Sequence, residues 1–150
     1  MILNRQRQIP LAMKSLTRFS ERVRRELGFP EESVTVCFVS DPAISRMNRK
    51  FRDKNGPTDV LSFPSRRKRI LGRGSLHRTK GMSAGHYFGD IVISPQTALR
   101  HARRRSRGLA SELRVLILHG MIHLAGYDHE NDHGEMRHLE RRLRRRLGLH

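Results

Sequence analysis

The chain has 150 residues, and its 31 lysines and arginines against 14 acidic residues give a formal net charge of +17. So large a positive charge indicates a polyanionic partner, because basic side chains that neutralise phosphates release bound counterions. The single cysteine, Cys37, excludes an internal disulfide framework and a zinc site built from several thiolates. Any metal ion must therefore be held by histidine and carboxylate side chains.

Hydrophobic periodicity and turn residues predict one α+β domain over residues 1–150. The predicted strands are residues 2–8, 33–39, 59–63 and 88–93, with the second of them in a central position. The predicted helices are residues 10–27, 41–51, 96–107, 110–124 and 130–147. Because the strands fall in the first two thirds of the chain, we expect a single mixed sheet of about four strands packed against about five helices.

Residues 65–86 differ in composition from the rest of the chain. They contain seven basic residues, four glycines and no acidic residue, which predicts a flexible basic loop. The candidate RNA-binding side chains are Arg66, Arg67, Lys68 and Arg69 in this loop and Arg103, Arg104 and Arg105 on a predicted helix. The absence of Trp and the presence of only two Tyr argue against an aromatic platform for stacking bases.

Three histidines near the end of the chain have the spacing of metal ligands. His119 and His123 are four residues apart on a predicted helix, which places both imidazoles on one face with Cβ atoms about 5–6 Å apart. Gly126 can take a left-handed conformation that ends the helix, so that His129 can turn back as a third ligand. Three histidines with one open position are typical of a catalytic zinc ion. The sequence therefore predicts a metal site on a helix of the C-terminal third.

The spacing H-x-x-x-H-x-x-G-x-x-H is also that of the metzincin metallopeptidases. Gly120 stands where those enzymes carry their glutamate general base, so a peptidase would lack its base. A metallopeptidase is one alternative function. A ribosome-associated RNA-binding factor without catalytic activity, holding a structural zinc ion, is the other.

The same stretch, HGMIHLAGYDH, followed by Asp132, Met136 and Glu140, resembles the signature of the YbeY endoribonucleases, a family of rRNA maturation factors. Two further blocks are similar to the family and lie in its order, RDKNGPTDVLSFP at residues 52–64 and FGDIVIS at residues 88–94. With the elements between them, the resemblance covers nearly the whole chain. The basic loop at residues 65–86 and the high charge depart from better-known members.

The resemblance implies a zinc-dependent endoribonuclease specific for single-stranded RNA, acting in 16S rRNA 3′-end maturation and in ribosome quality control. It implies that His119, His123 and His129 bind one zinc ion per chain and that Arg52 is the catalytic arginine. The implied partners are rRNA and the small ribosomal subunit, with ribosomal proteins or GTPases of ribosome assembly as further candidates. No segment has the 18 or more apolar residues that span a bilayer, so we expect a cytoplasmic protein without membrane contact, mitochondria being the minor alternative.

The proton acceptor of the reaction stays open at this point. The candidate acceptors are Asp59, Asp90, Asp128 and Asp132. Asp90, Asp128 and Asp132 are also candidates for orienting the ligand histidines through hydrogen bonds. Asp132 has a structural alternative, which is to cap the final helix, and Asp90 has another, which is to pair with an arginine.

Overall fold

The structure, a computed structural model, describes residues 1–65, 87–127 and 132–149. The strands in these ranges are β1 (Ile2–Asn4), β2 (Val34–Phe38), β3 (Val60–Pro64) and β4 (Gly89–Ile93). The helices are α1 (Met13–Glu26), α2 (Asp41–Arg52), α3 (Pro95–Arg104), α4 (Leu109–Leu124) and α5 (Glu135–Arg146). The predicted α+β class is confirmed. No helix in the described ranges is long and apolar enough to cross a bilayer.

The four described strands form one mixed sheet in the order β1-β2-β4-β3. The pairs β1–β2 and β2–β4 are parallel, whereas β3 runs antiparallel to β4. The predicted central position of β2 is therefore confirmed. Where β3 ends and β4 begins, the Ser65 N–H donates to the Phe88 carbonyl at 2.9 Å, so the described residues before and after the predicted basic loop lie side by side. The loop itself, residues 66–86, lies outside the described residues.

The two faces of the sheet pack against different helices, because successive side chains of a strand point to opposite sides. Val36 and Ile91 belong to the larger apolar cluster, which includes side chains of α1 and α4. Cys37 and Val92 lie on the other side, where Ile44 of α2 packs in a smaller cluster. We call these sides the α4 face and the α2 face. Full burial of one such aliphatic side chain contributes roughly 1.5–3 kcal/mol, so the α4 face supplies most of the hydrophobic stabilisation.

Gly89 allows β3, β4 and α4 to approach one another closely. Its φ is +145°, and a Cβ at this position would collide with the Phe63 carbonyl and lie 2.9 Å from Cδ2 of Leu124. Both neighbours are fixed, one by the sheet and the other by burial in the core. Glycine is therefore required where the FGDIVIS block enters the sheet.

The first two predicted elements are shorter in the structure than the pattern indicated. β1 ends at Asn4 instead of residue 8, because the Gln6 side-chain amide donates to the Asn4 side chain and to the Ile9 carbonyl, each at 2.9 Å, and so closes a turn. α1 begins at Met13 instead of residue 10. Its N-terminal flanking residue, Ala12, has no side-chain acceptor with which to extend or cap the first turn.

Three later helix boundaries also differ, each at a residue with positive φ. α2 includes Arg52, which the pattern assigned to a turn, and it ends because Asp53 takes a φ of +52°. α3 stops before the predicted residue 107, since Ser106 takes a φ of +51°. α5 begins after Gly134, at φ +99°, and not at residue 130. A left-handed residue interrupts the helical hydrogen bonds, and this local choice is not visible in hydrophobic spacing.

The N-terminal ends of α2 and α3 are held together by polar side chains. Ser40 is the capping residue, whereas Asp41 accepts hydrogen bonds from the hydroxyls of Ser94 and Thr97, at 2.6 and 2.7 Å, and pairs with Arg100 at 2.9 Å. Burial alone would raise the pKa of the Asp41 carboxyl, but the hydrogen bonds from these three side chains outweigh it and hold the pKa below its usual value. One carboxylate thereby joins the N-terminal ends of α2 and α3.

Candidate metal centre

His119 and His123 lie together on α4, as their spacing predicted. Their Nε2 atoms are 3.1 Å apart, and the ring planes meet at 79°. Both side chains are half-buried on a helix whose apolar side chains pack into the core. The helix is therefore anchored by its apolar side chains while the two imidazoles point toward a common position.

The Nδ1 atom of each ring has a partner that determines its orientation. His119 Nδ1 lies 3.1 Å from Oε1 of Glu140 on α5, and His123 Nδ1 lies 3.1 Å from the carbonyl oxygen of Tyr127. A carbonyl or an ionised carboxylate can only accept, so each ring donates from Nδ1, and in the neutral ring Nε2 carries the lone pair. The tautomers are thus assigned from the partners of the rings.

The two imidazoles fit a metal ion. Two neutral Nε2 lone pairs at 3.1 Å repel each other unless a shared proton or a cation lies between them. In a tetrahedral zinc site with Zn–N distances of about 2.0–2.1 Å, two ligand nitrogens are about 3.3 Å apart. Hydrogen bonding of the ring N–H to a carboxylate or a backbone carbonyl is also the usual arrangement for ligand histidines.

The third predicted ligand, His129, and the neighbouring Asp128 lie outside the described residues. Among residues 1–65, 87–127 and 132–149, no three His, Cys, Asp or Glu side chains are grouped closely enough to hold a metal ion. The turn predicted before His129 is present, because Gly126 takes a φ of +105° directly after α4. The structure therefore brings two of the three predicted ligands together, and His129 stays a prediction.

Gly120 explains why a glutamate is missing from the helix position used by the metallopeptidases. It is buried against β4, and a Cβ at this position would lie 2.9 Å from Cγ2 of Ile91, which is itself fully buried. A glutamate at position 120 would therefore collide with the buried side chain of Ile91. This packing argues against the peptidase alternative.

Asp132 is placed at the start of α5. One of its carboxylate oxygens accepts from the Gly134 N–H at 2.8 Å and the other accepts from the Met136 N–H at 2.9 Å. Asp132 therefore accepts from a first-turn N–H group of α5, although the N-cap position itself is occupied by Gly134. Since Met136 is fully buried, this hydrogen bond also fixes the path of α5 and with it the position of Glu140.

Asp90 does not lie with the histidines. It points to the α2 face, in register with Thr35 of β2, whereas its neighbour Ile91 points to α4. The hydroxyl of Tyr87 donates to the Asp90 carboxylate and lies 2.7 Å from the Thr35 hydroxyl. Burial and the hydrogen bond to Asp90 raise the pKa of Tyr87 to about 12. The partner of Asp90 is thus a tyrosine and not the arginine suggested from the sequence.

Asp59, another candidate proton acceptor, pairs with a histidine outside the metal centre. Its Oδ2 lies 3.2 Å from Nδ1 of His101 on α3. Its backbone carbonyl accepts from Ser94 at 2.9 Å. The structure therefore connects Asp59 to α3 and not to the histidine pair on α4.

Arg52 is exposed at the C-terminal end of α2, the helix whose Ile44 packs on the α2 face of the sheet. In the described part of the chain, no hydrogen bond or ion pair joins it to His119 or His123. The second basic cluster is exposed at the end of α3, but Arg105 is bound to the buried Glu112 at 2.7 Å. The first cluster, residues 66–69, lies outside the described residues.

The sequence did not predict the role of Glu140, although this residue belongs to the stretch that resembles the family. Its side chain is only 15% exposed, and it is the sole acidic residue between positions 136 and 146, where arginines predominate. A lone carboxylate in a basic amphipathic helix was the available signal. Its partner 21 residues away could not be inferred from spacing.

Comparisons with known proteins identify the family of the chain. A model of the family described as Endoribonuclease YbeY matches residues 1–148. Two proteins named Endoribonuclease YbeY are similar to the chain: that of Koribacter versatilis is 38% identical over 99% of this chain and 86% of its own length, and that of Geobacter metallireducens is 35% identical over 95% and 89%. A solution structure of a Thermotoga maritima protein is 27% identical, with a TM-score of 0.62 over 98% of this chain and 89% of that one.

The class defined by these matches is that of proteins named as endoribonucleases, which the chain matches over 86–89% of their own length. The chain belongs to the YbeY endoribonuclease family. The resemblance inferred from its three sequence blocks is confirmed.

Proposed function

We propose that the protein is a zinc-dependent endoribonuclease that cleaves single-stranded RNA, with the 3′ end of 16S rRNA as its main substrate and a role in ribosome quality control. Family membership supports cleavage of RNA. The convergence of the Nε2 atoms of His119 and His123, each ring fixed through Nδ1, is the observation that carries the metal assignment. His129 completes the proposed set of ligands for one zinc ion per chain.

In this proposal, some residues of the chain hold and orient the metal ligands, and Arg52 stabilises negative charge on the RNA. When bound, zinc supplies a Lewis acid that polarises a phosphate oxygen and lowers the pKa of a nearby hydroxyl or water. Glu140 and the Tyr127 carbonyl keep the two imidazoles in the tautomer that presents Nε2. The guanidinium of Arg52 has a planar fork that matches two phosphate oxygens, and it stabilises the negative charge that increases on them during the reaction.

The positive charge of the chain supports RNA as the partner. The +17 charge favours phosphate contacts, and Arg103 and Arg104 are exposed at the end of α3. Residues 66–69, which follow β3 in the sequence, would add a second cationic segment. We propose the small ribosomal subunit in the cytoplasm as the place of action, with ribosomal proteins or assembly GTPases as additional contacts.

The decisive experiment is an RNA-cleavage assay with single-stranded and duplex substrates. We expect the wild-type protein to cleave the single strand, and we expect chelator-treated protein and His119→Ala to be inactive. The variant also controls for contaminating ribonuclease, since a contaminant would survive the substitution. Equal cleavage by wild type and His119→Ala would reject the proposed function.

Replacing Glu140 by glutamine should weaken zinc binding by about 10- to 100-fold, because the neutral amide holds His119 less firmly and lowers the basicity of the imidazole. Zinc affinity is measured by competition with a chromophoric chelator. Glu26→Gln is the matched control, since Glu26 pairs α1 with Arg146 of α5 at 3.2 Å but does not contact a histidine. Equal zinc affinity of the Glu140→Gln and Glu26→Gln variants would contradict this role of Glu140.

RNA binding should weaken steeply as salt is added. For each phosphate that is neutralised, the logarithm of the association constant should fall by about 0.7 per tenfold increase in salt on single strands. Fluorescence anisotropy of a labelled oligonucleotide over a range of potassium chloride concentrations measures the slope. A flat dependence would show that the basic surface is not the binding site.

A further inference from the structure

A groove of about 390 Å³ lies on the α2 face of the sheet, away from the histidine pair. It is lined by Leu3, Arg5, Thr35, Cys37, Met47, Phe51, Phe63, Asp90 and Val92. Most of this lining is apolar or aromatic, and its volume is within the range of sites that bind small planar ligands. The function proposed above leaves this groove unused.

Phe51 is the exceptional residue of the groove. Its side chain is 58% exposed, and among the described residues the other large hydrophobic side chain with high exposure is Met1. The ring contacts Phe63 edge to face, with centroids 5.2 Å apart, and the Lys50 amino group lies 5.4 Å from its centroid. Phe51 therefore presents an aromatic surface whose orientation is supported by a second ring.

Positive charges surround Phe51, and one carboxylate lies in the lining of the groove. Lys50 and Arg52, on either side of Phe51 in α2, are exposed, and Arg5 lines the groove from the segment after β1. Asp90 also lines the groove, and its carboxylate is held by Tyr87. A carboxylate in the lining repels a phosphate group, whereas the cations near Phe51 attract one. The complementary ligand is a flat, uncharged group that carries phosphates on either side.

We propose that this groove is a subsite for one nucleobase of a single-stranded RNA, stacked on the Phe51 ring, with the adjacent phosphates at Lys50 and Arg52. The inference rests on the proposed function and adds a substrate position to it. The sequence, with no Trp and two Tyr, argued against aromatic stacking. A single exposed phenylalanine next to a catalytic arginine is sufficient for one base, since every base has a face that can stack.

The proposed base site also determines which part of the RNA lies next to Arg52. Phe51 and Arg52 are consecutive in the last turn of α2, with Cα atoms about 3.8 Å apart, although their side chains leave the helix about 100° apart. We infer that the long arginine side chain reaches a phosphate next to the stacked base. Stacking in the groove would therefore determine which phosphate of the strand meets Arg52. Removal of the ring should weaken binding and misalign the strand at the same time.

The test uses the full-length protein and a nine-nucleotide 2′-O-methyl RNA that contains 2-aminopurine and resists cleavage. Phe51→Leu should bind this probe about 5- to 150-fold more weakly than wild type, the range that corresponds to one stacked base, and should lose the quenching of 2-aminopurine. Phe51→Tyr, which keeps the ring, should retain both. Unchanged affinity and quenching in Phe51→Leu would overturn the proposal.

Photocrosslinking provides a second measurement that needs no variant. An oligonucleotide carrying 5-iodouridine should crosslink to the peptide that contains Phe51 in the wild-type protein, as mapped by mass spectrometry. Crosslinks confined to other peptides would exclude the groove as a base site. The two proposals fail separately, because these measurements report binding, whereas the proposed function fails when wild-type protein binds RNA without cleaving it.

Discussion

Replacing His123 by alanine should reduce bound zinc from about one ion per chain to nearly none. His123 contributes one of the two converging Nε2 atoms, and its ring is already oriented by the Tyr127 carbonyl at 3.1 Å. In the proposed site of His119, His123 and His129, loss of one neutral imidazole leaves too few ligands to hold the ion. Metal analysis of the purified variant by mass spectrometry measures the stoichiometry.

His138→Ala is the matched control for this experiment. His138 is an exposed histidine on α5, and its replacement removes an imidazole without touching the pair on α4. We expect the control to keep one zinc ion per chain. An unchanged zinc content in His123→Ala would refute the ligand assignment.

Replacing Arg52 by alanine should leave zinc binding intact and reduce RNA cleavage by about 10²- to 10³-fold, which is the usual cost of removing one group that stabilises charge in the transition state. The side chain is exposed and makes no ion pair in the described part of the chain, so the fold should not depend on it. Single-turnover cleavage and metal analysis on the same preparation separate catalysis from metal loss.

Two further variants define what Arg52 contributes. Arg49→Ala removes a basic side chain from the same helix, one that donates to Asn55 at 3.0 Å, and it should cleave RNA nearly as well as wild type. Arg52→Lys keeps the charge but not the planar fork, and it should recover only part of the activity. If Arg52→Ala cleaved at the wild-type rate, Arg52 would have no part in the reaction.

The types and order of the elements could be predicted from the sequence because the pattern of apolar residues reflects which face is buried. The β-branched run at residues 33–39 predicted the central strand, and the spacing of His119 and His123 predicted that they share a face of α4. The predicted ends of the helices were less accurate than the predicted element types. They depend on single residues such as Asp53 and Ser106. These residues take a positive φ although they are not glycine, so the sequence gives no signal for the helix end.

The partners of polar side chains could not be predicted, because they are contributed by other elements. Glu140 reaches His119 only since α5 packs beside α4, and Asp90 was placed with the histidines although strand alternation turns it to the other face. Likewise, packing at the end of α2 leaves the ring of Phe51 exposed, which composition does not predict.

The sequence by itself determined the positive charge, the exclusion of a thiolate metal site and the family, since these depend on residue identity and on local spacing. The tertiary structure decided how the histidines are oriented, why position 120 must be glycine, and which carboxylates lie away from the metal centre. These features follow from contacts between residues far apart in the chain, whose geometry is set by the packing of helices on the two faces of the sheet and not by local propensity.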